Sequence, residues 1–331
     1  MLIKMQVGEQ DRGELQVNVT DSDNAPIRDA RVTISEPETA INPNSPIERL
    51  ETDVSGQTQI VDLNTPPLEY SLNENNENMP YANYNIQIEA PGYETENISN
   101  VEILPDSLSL QNVRMRRREG EQVENIDIDP HTLYAEYPEK IPEDEIKDVN
   151  EPGEIVLSRV VIPEYVVVHN GTPSSNAMDY YVTYKDYIKN VASSEIYATW
   201  PRATIEANVL AIMSFTLNRV YTEWYRNKGY DFTITSSTAY DQKWIYGRNI
   251  FQSIDEVVDE IFDQYLSRPD VRQPILTQYC DGKNVSCPNW LSQWGSKALG
   301  DQGYTSIEIL RNYYGDSIYI NSTDELSGIP S

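Results

Sequence analysis

Glu195 is a carboxylate out of place. It follows Ile188, Val191 and Ala192 at the spacing i, i+3, i+4, i+7, which puts all four side chains on one stripe of a helix. An acid on an apolar stripe is partly buried, and burial disfavours the charged form and raises the pKa. A carboxyl that stays protonated near neutral pH is what a general acid for glycosidic cleavage requires. The plainer alternative puts Glu195 at a helix end, paired with Lys189 or Arg202 and without chemistry. On pattern alone the plainer alternative is the stronger.

Few other residues compete for a chemical role. Cys280 and Cys287 are the two cysteines of the chain. Two cysteines make a small-loop disulfide or a pair of free thiols, not a disulfide framework. As zinc ligands they are weak candidates, because a site needs two more donors and the only histidines are His131 and His169. No cofactor is expected. A cysteine nucleophile would depend on His169, and no helix-initiating Cys motif is present.

The segment Tyr187–Pro201, with Val191-Ala192-Ser193-Ser194-Glu195-Ile196-Tyr197 and then Trp200-Pro201, resembles the signature of the stage II sporulation protein D (SpoIID/LytB) family. Ile205 to Arg219 resembles that family's long Ala-rich helix. Ser236-Ser237-Thr238-Ala239-Tyr240-Asp241-Gln242 resembles its Thr-x-x-Asp-Gln loop, and Leu291-Ser292-Gln293-Trp294-Gly295-Ser296 its Ser-Gln-aromatic-Gly block. Gly303-Tyr304 and Ile309 to Gly315 resemble its closing segment. Five blocks stand in order over about 160 residues. Val161 to His169 and Tyr221-Thr222-Glu223-Trp224-Tyr225-Arg226 resemble the spore cortex-lytic branch of the family.

The resemblance implies a lytic transglycosylase made as a proenzyme. Glu195 then protonates the oxygen between N-acetylmuramic acid and N-acetylglucosamine. The C6 hydroxyl closes a 1,6-anhydro ring, so one carboxyl suffices where hydrolysis uses two. Asp241 is the candidate second carboxylate, although capping its loop is an equal role for it. Gln242, Tyr240, Ser292, Gln293 and Trp294 are candidates for holding sugar, with Trp244 and Tyr246 as further stacking rings. Core packing is the plainer role for those aromatics, and Arg219 is expected to pair with a carboxylate. The implied partners are peptidoglycan strands and an activating germination protease, and the implied location is the spore, at the cortex or its boundary with the coat. The competing function is a non-catalytic wall-binding or structural spore protein. Cortex-lytic relatives usually end in a peptidoglycan-binding repeat, and no such block follows Gly315.

The elements that must position these residues are legible from periodicity. Leu15, Val17 and Val19 alternate with polar residues, Asp21 to Pro26 makes a turn, and Ala30, Val32 and Ile34 alternate again. Further strands are expected over 57–61, 84–88 and 108–115, which suggests a β-sandwich. The run Gly13 to Val32, then Thr52-Asp53-Val54-Ser55-Gly56-Gln57-Thr58 and Ala90-Pro91-Gly92-Tyr93, resembles the transthyretin-like, carboxypeptidase-regulatory sandwich. Residues 117–159 carry many acids and Pro breakers and read as a linker, with processing within Val149 to Val160. Beyond it a strand over 160–169 is expected, then the Glu195 helix, and a helix from Pro201 to about Lys228 closed by Gly229. A strand over 232–235 and a helix over 254–266 follow.

The whole is read as α+β: a lead-in over 1–12, a β-sandwich prosegment over 13–116, the linker over 117–159 and a mixed α+β SpoIID-like catalytic domain over 160–331. The formal charge is −28, of which −21 falls before residue 160. That balance argues against nucleic acid, whose phosphates need Lys and Arg. No run of 18 apolar residues is present to span a membrane, and the N-terminus does not read as a cleavable signal.

Overall fold

The computed structural model describes residues 10–37, 45–118, 123–147 and 157–323. The chain is α+β and divides into two compact units. The first holds 1–134 with 197–199 and 245–253; the second holds 135–196, 200–244 and 254–331. Among the described residues no helix is long and apolar enough to cross a membrane.

The first unit is built from period-two strands, as the alternation predicts. These are β1 (Asp11–Asp21), β2 (Arg31–Ser35), β3 (Pro46–Glu51), β4 (Val61–Thr65), β5 (Ala82–Glu89), β6 (Thr95–Ile103), β7 (Leu108–Met115) and β8 (Val123–Asp127), with a one-turn helix α1 (Glu69–Leu72). One sheet runs β7-β1-β4, and the two-residue strand Ile250–Phe251 pairs antiparallel with β7. The other runs β3-β2-β5-β6-β8. Both sheets contribute to a single apolar cluster that includes Leu15, Val17, Val19, Val32, Ile34, Ile86, Ile88, Val113 and Met115.

Turn chemistry sets the register. The Asp21 carboxylate accepts from the N–H of Asp23 and of Ala25, both at 2.9 Å. Gly56 has φ +74°, and a Cβ there would lie 2.4 Å from the Val19 carbonyl oxygen, so no other residue fits. The strand expected over 57–61 begins only at Val61; Gln57 contributes a single bridge to Asn18.

Of the stretch expected as a linker, residues 117–118 and 123–147 are described and do not behave as one. β8 pairs parallel with β6, and His131 and Leu133 are buried in the first unit. Residues 135–147 belong to the second unit, where Tyr137, Lys140 and Lys147 are buried. The acids that suggested solvation have cationic partners: Glu143 pairs with Arg219 and Lys147, and Glu145 with Arg268. The expected processing stretch falls largely on 148–156, and the lead-in on 1–9, both outside the described residues.

In the second unit β9 (Tyr165–His169) pairs antiparallel with β10 (Asp179–Thr183) and parallel with β11 (Ile234–Thr235). β10 leads directly into α2 (Tyr184–Glu195), whose N-terminus is capped by Thr183. α3 (Arg202–Tyr221) is buried over nearly all its length. It stops at Tyr221 and not Lys228, because Glu223 adopts a left-handed φ of 48°; a short 3₁₀ turn then ends at Gly229, φ +84°. The helix expected over 254–266 is α4 (Gln252–Ile261); from Gln264 the chain is a strand, Gln264–Ser267, paired with Tyr319–Ser322. α5 (Gln293–Asp301) and α6 (Ser306–Tyr314) complete the unit.

Glu96 on β6 generates a pH prediction. It is 3 % exposed and lies in register with Glu124 on β8. Burial first, then the charge of Glu124, push its carboxyl up to about 7, with Glu94 adding to the rise and Arg116 opposing it. The folded chain thus holds a proton that the unfolded chain, with an ordinary carboxyl, releases. Stability is therefore fully present at acid pH and declines as pH rises from the ordinary carboxylate range through about 7. Thermal unfolding of the full chain across this window is expected to show that decline, and Glu96→Gln is expected to flatten it; an unchanged slope in the variant would show that Glu96 is not its source.

Candidate active site

Glu195 sits in the last turn of α2, on the face that buries Tyr184, Tyr187, Ile188, Val191 and Ala192. That is the stripe the spacing predicts. Its side chain is 0 % exposed. Oε2 lies 2.5 Å from the Tyr279 hydroxyl, and Oε1 accepts from the Lys243 N–H at 2.7 Å. Neither Lys189 nor Arg202 supplies the pairing that a bland helix end would use. Lys189 binds Asp255 and Asp259, and Arg202 binds Glu206 and Glu260.

Burial raises the Glu195 pKa; Lys140, the Tyr279 hydroxyl and the Lys243 N–H work against that rise. Lys140 is itself buried, and desolvation lowers its pKa despite the nearby Glu195 and Asp241. Both groups are thus driven toward their neutral forms. The Lys140 Nζ donates to the Asp241 carbonyl at 2.9 Å and lies 4.5 Å from the centre of the Tyr279 ring.

Asp241 has a different environment. Its carboxylate accepts from Arg219 Nε (2.7 Å), Tyr225 Oη (2.6 Å), and the N–H (2.9 Å) and Oγ1 (2.6 Å) of Thr235. Four donors occupy it, and it is fully buried. It fastens the loop after β11 to α3, the capping role, and leaves no lone pair turned to a second catalytic task. Arg219 holds Glu143 as well, through Nη1 and Nη2 at 3.0 and 2.5 Å. The pairing expected of Arg219 is thus present twice.

The remaining candidates divide. Gln242 is saturated inside the unit: Oε1 accepts from Tyr187 and Thr216, and Nε2 donates to the Ile212 carbonyl. Ser292 caps α5 by accepting from the Gly295 N–H at 2.9 Å. Trp294 and Trp244 are buried, the first packed on Trp200 with ring centres 5.0 Å apart, the second 5.1 Å from Tyr180. Tyr246 belongs to the first unit and bonds Glu124. Tyr240 is half-buried beside the Asp241 loop. Gln293 is fully buried, and its amide has no hydrogen-bond partner among the described residues. It follows the strand Leu291–Ser292, whose Leu291 lies in register with Tyr279.

Cys280 and Cys287 are joined as a disulfide, so neither offers a thiolate to zinc or to a substrate. His169 is engaged elsewhere, its Nδ1 2.7 Å from Asp179 and its ring stacked on Phe232. The residues that contact or flank Glu195 and that the spacing did not reveal are Tyr279, Lys243, Lys140 and Tyr137. None lies in a periodic run. A lone tyrosine beside a cysteine, or a lysine in a proline-rich acidic stretch, carries no signal of burial.

No protein-family model and no curated protein matches the sequence. Solved structures match over part of the chain. Catechol 1,2-dioxygenase of Acinetobacter radioresistens matches at 15 % identity over 35 % of this chain and 58 % of its own, with TM-score 0.24. The minor pilin GBS52 of Streptococcus agalactiae matches at 16 % over 34 % and 48 %, with TM-score 0.23. The TIE protein of Bacillus anthracis matches at 13 % over 32 % and 17 %, with TM-score 0.21. The chain spans little more than half the length of the dioxygenase. These likenesses are too slight to bear on function.

The role of Asp241 as a fastener has a measurable consequence. Asp241→Ala leaves a fully buried Arg219 with half its charge partners and two hydroxyl donors without an acceptor. Removing one member of such a pair costs about 3–5 kcal/mol. Chemical denaturation of the full chain is expected to show a loss of that order; a loss below about 1 kcal/mol would mean the carboxylate is not structural.

Proposed function

We propose that this protein is the proenzyme of a peptidoglycan lytic transglycosylase of the spore cortex, resembling SleC, with Glu195 as its general acid and base. The observation that carries the proposal is the environment of Glu195. A carboxyl with no solvent exposure is pushed by burial toward its protonated form, the form a general acid needs. Its two oxygens are held by Tyr279 and the Lys243 N–H, so its orientation is set before any substrate arrives. Family resemblance supplies the reaction.

In that reaction Glu195 gives its proton to the bridging oxygen on the N-acetylmuramic acid side. The departing sugar leaves with that proton. Glu195, now a carboxylate, takes the proton of the C6 hydroxyl as that oxygen bonds to C1 and closes the anhydro ring. The atoms balance without water and without a second carboxyl, which agrees with Asp241 being fully occupied by its own donors. Gln293 is the best remaining candidate for an acetamido group, because its buried amide lacks a partner among the described residues. The first unit contributes no acid to this chemistry; its part is that of a prosegment with a transthyretin-like resemblance.

A second reading is a wall-binding or structural spore protein that kept the fold. The same two hydrogen bonds favour it, since a carboxyl tied on both oxygens also serves as a tether.

Glu195→Gln separates the two. The amide keeps the shape and cannot give a proton. The full chain, carrying a site-specific protease sequence between Val149 and Val160 and cut there, is incubated with cortex peptidoglycan. The products are read by mass spectrometry. Anhydro-muropeptides are expected from the unsubstituted chain, with a loss of about 10²–10⁴-fold in the variant. Equal release by both removes Glu195 from the mechanism, and reducing-end products alone would mean hydrolysis.

A further inference from the structure

Glu195 is fully buried, with 0 % of its side chain exposed. Neither the cleft of about 680 Å³ that includes Arg159, Tyr265, Arg272 and Tyr319, nor the one of about 250 Å³ around Ile162 and Lys185, has Glu195 in its lining. Something must therefore move before a glycan reaches it. We infer that residues 137–147 form a strap that closes the Glu195 site, and that displacing this strap, not removing the first unit as a whole, is the step that admits substrate. The inference rests on Glu195 being the catalytic acid and names what regulates it.

The strap has no helix or strand of its own, yet backbone groups of Ile141, Glu143, Glu145 and Lys147 are hydrogen-bonded to the rest of the second unit, while the buried Tyr137 hydroxyl has no partner among the described residues. The Ile141 N–H donates to the Ala239 carbonyl at 2.9 Å, and the Ile141 carbonyl accepts from Gln278 Nε2 at 2.8 Å. Gln278 Oε1 accepts from the Glu143 N–H at 2.9 Å. The Glu145 carbonyl accepts from the Leu276 N–H, and Gln273 brackets the Lys147 backbone by accepting its N–H and donating to its carbonyl. Gln273, Leu276 and Gln278 all lie in the stretch just before Tyr279, the residue that holds Glu195. The strap is thus laid beside the chain that carries the Glu195 partner.

Side chains lock it. Tyr137 is buried, and burial raises the pKa of its hydroxyl, with the nearby carboxyls of Glu195 and Asp281 acting in the same direction. Lys140 lies over the Tyr279 ring and reaches the Asp241 carbonyl. Glu143 takes both guanidinium nitrogens of Arg219, and Glu145 takes Arg268 through Nε and Nη2 at 2.7 and 2.8 Å. Two bidentate carboxylate–guanidinium pairs are geometrically specific locks. A segment meant only to join two domains has no need of them. Both locks sit on the strap's C-terminal half, adjoining the stretch where processing is expected. A cut there turns the strap into a chain end, which no longer gains from being covalently held beside its site.

The test uses the full, uncut chain. Glu143→Ala with Glu145→Ala removes both locks and touches no residue placed in the catalytic chemistry. Glu145→Gln, which weakens one lock, is the milder variant should the double one fail to fold, as judged by its unfolding transition. Two readouts are taken: labelling of Glu195 by a carbodiimide with glycine ethyl ester, and release of anhydro-muropeptides from cortex peptidoglycan. At least tenfold more Glu195 labelling is expected in the double variant, with a smaller increase in Glu145→Gln, and product release rising in parallel. If Glu195 is labelled and no product appears, the strap stands and the glycan-cleaving reading falls. If Glu195 remains unlabelled in folded variants, the strap inference is overturned whatever the activity.

Discussion

A carboxyl group removed from solvent must either give up its charge or be surrounded by donors. The second unit contains two fully buried acids in contrasting surroundings. Asp241 keeps four donors, among them the Arg219 guanidinium, and joins the loop after β11 to α3. Glu195 has a tyrosine hydroxyl and one backbone N–H, with its pKa raised by burial. The contrast assigns them separate work. One carboxylate holds the fold; the other is pushed by burial toward its neutral form.

The same economy of donors ties the acidic stretch before residue 148 to the rest of the second unit. Arg219 serves Asp241 on one side and Glu143 on the other. A single buried guanidinium thereby couples the loop that carries Asp241, Gln242 and Lys243 to the strap.

Much of the frame was legible in the sequence because it follows simple periods. The alternation through Leu15, Val17, Val19 and Val32, Ile34 is buried as the pleat requires, and the stripe Ile188, Val191, Ala192, Glu195 lies inward on α2. What was not legible depends on pairs distant in the chain. Residues 123–147 looked like a linker because acids and prolines mask order, while their partners, Arg219 and Arg268, lie far along the chain. Helix ends shifted where one residue's backbone decided, as at Glu223. Of the residues expected at the site, Asp241, Gln242 and Trp294 turned out to brace the fold. The spacing that made them conspicuous reflects packing as readily as chemistry.

The protonation state of Glu195 in the folded chain tests the central claim most directly. Infrared difference spectroscopy of the full chain against Glu195→Gln isolates that one carboxyl. At neutral pH the difference spectrum should contain the C=O stretch of a protonated acid, and the band should persist well above the pH at which ordinary glutamates ionise. A carboxylate doublet in its place, titrating in the ordinary range, would contradict the account.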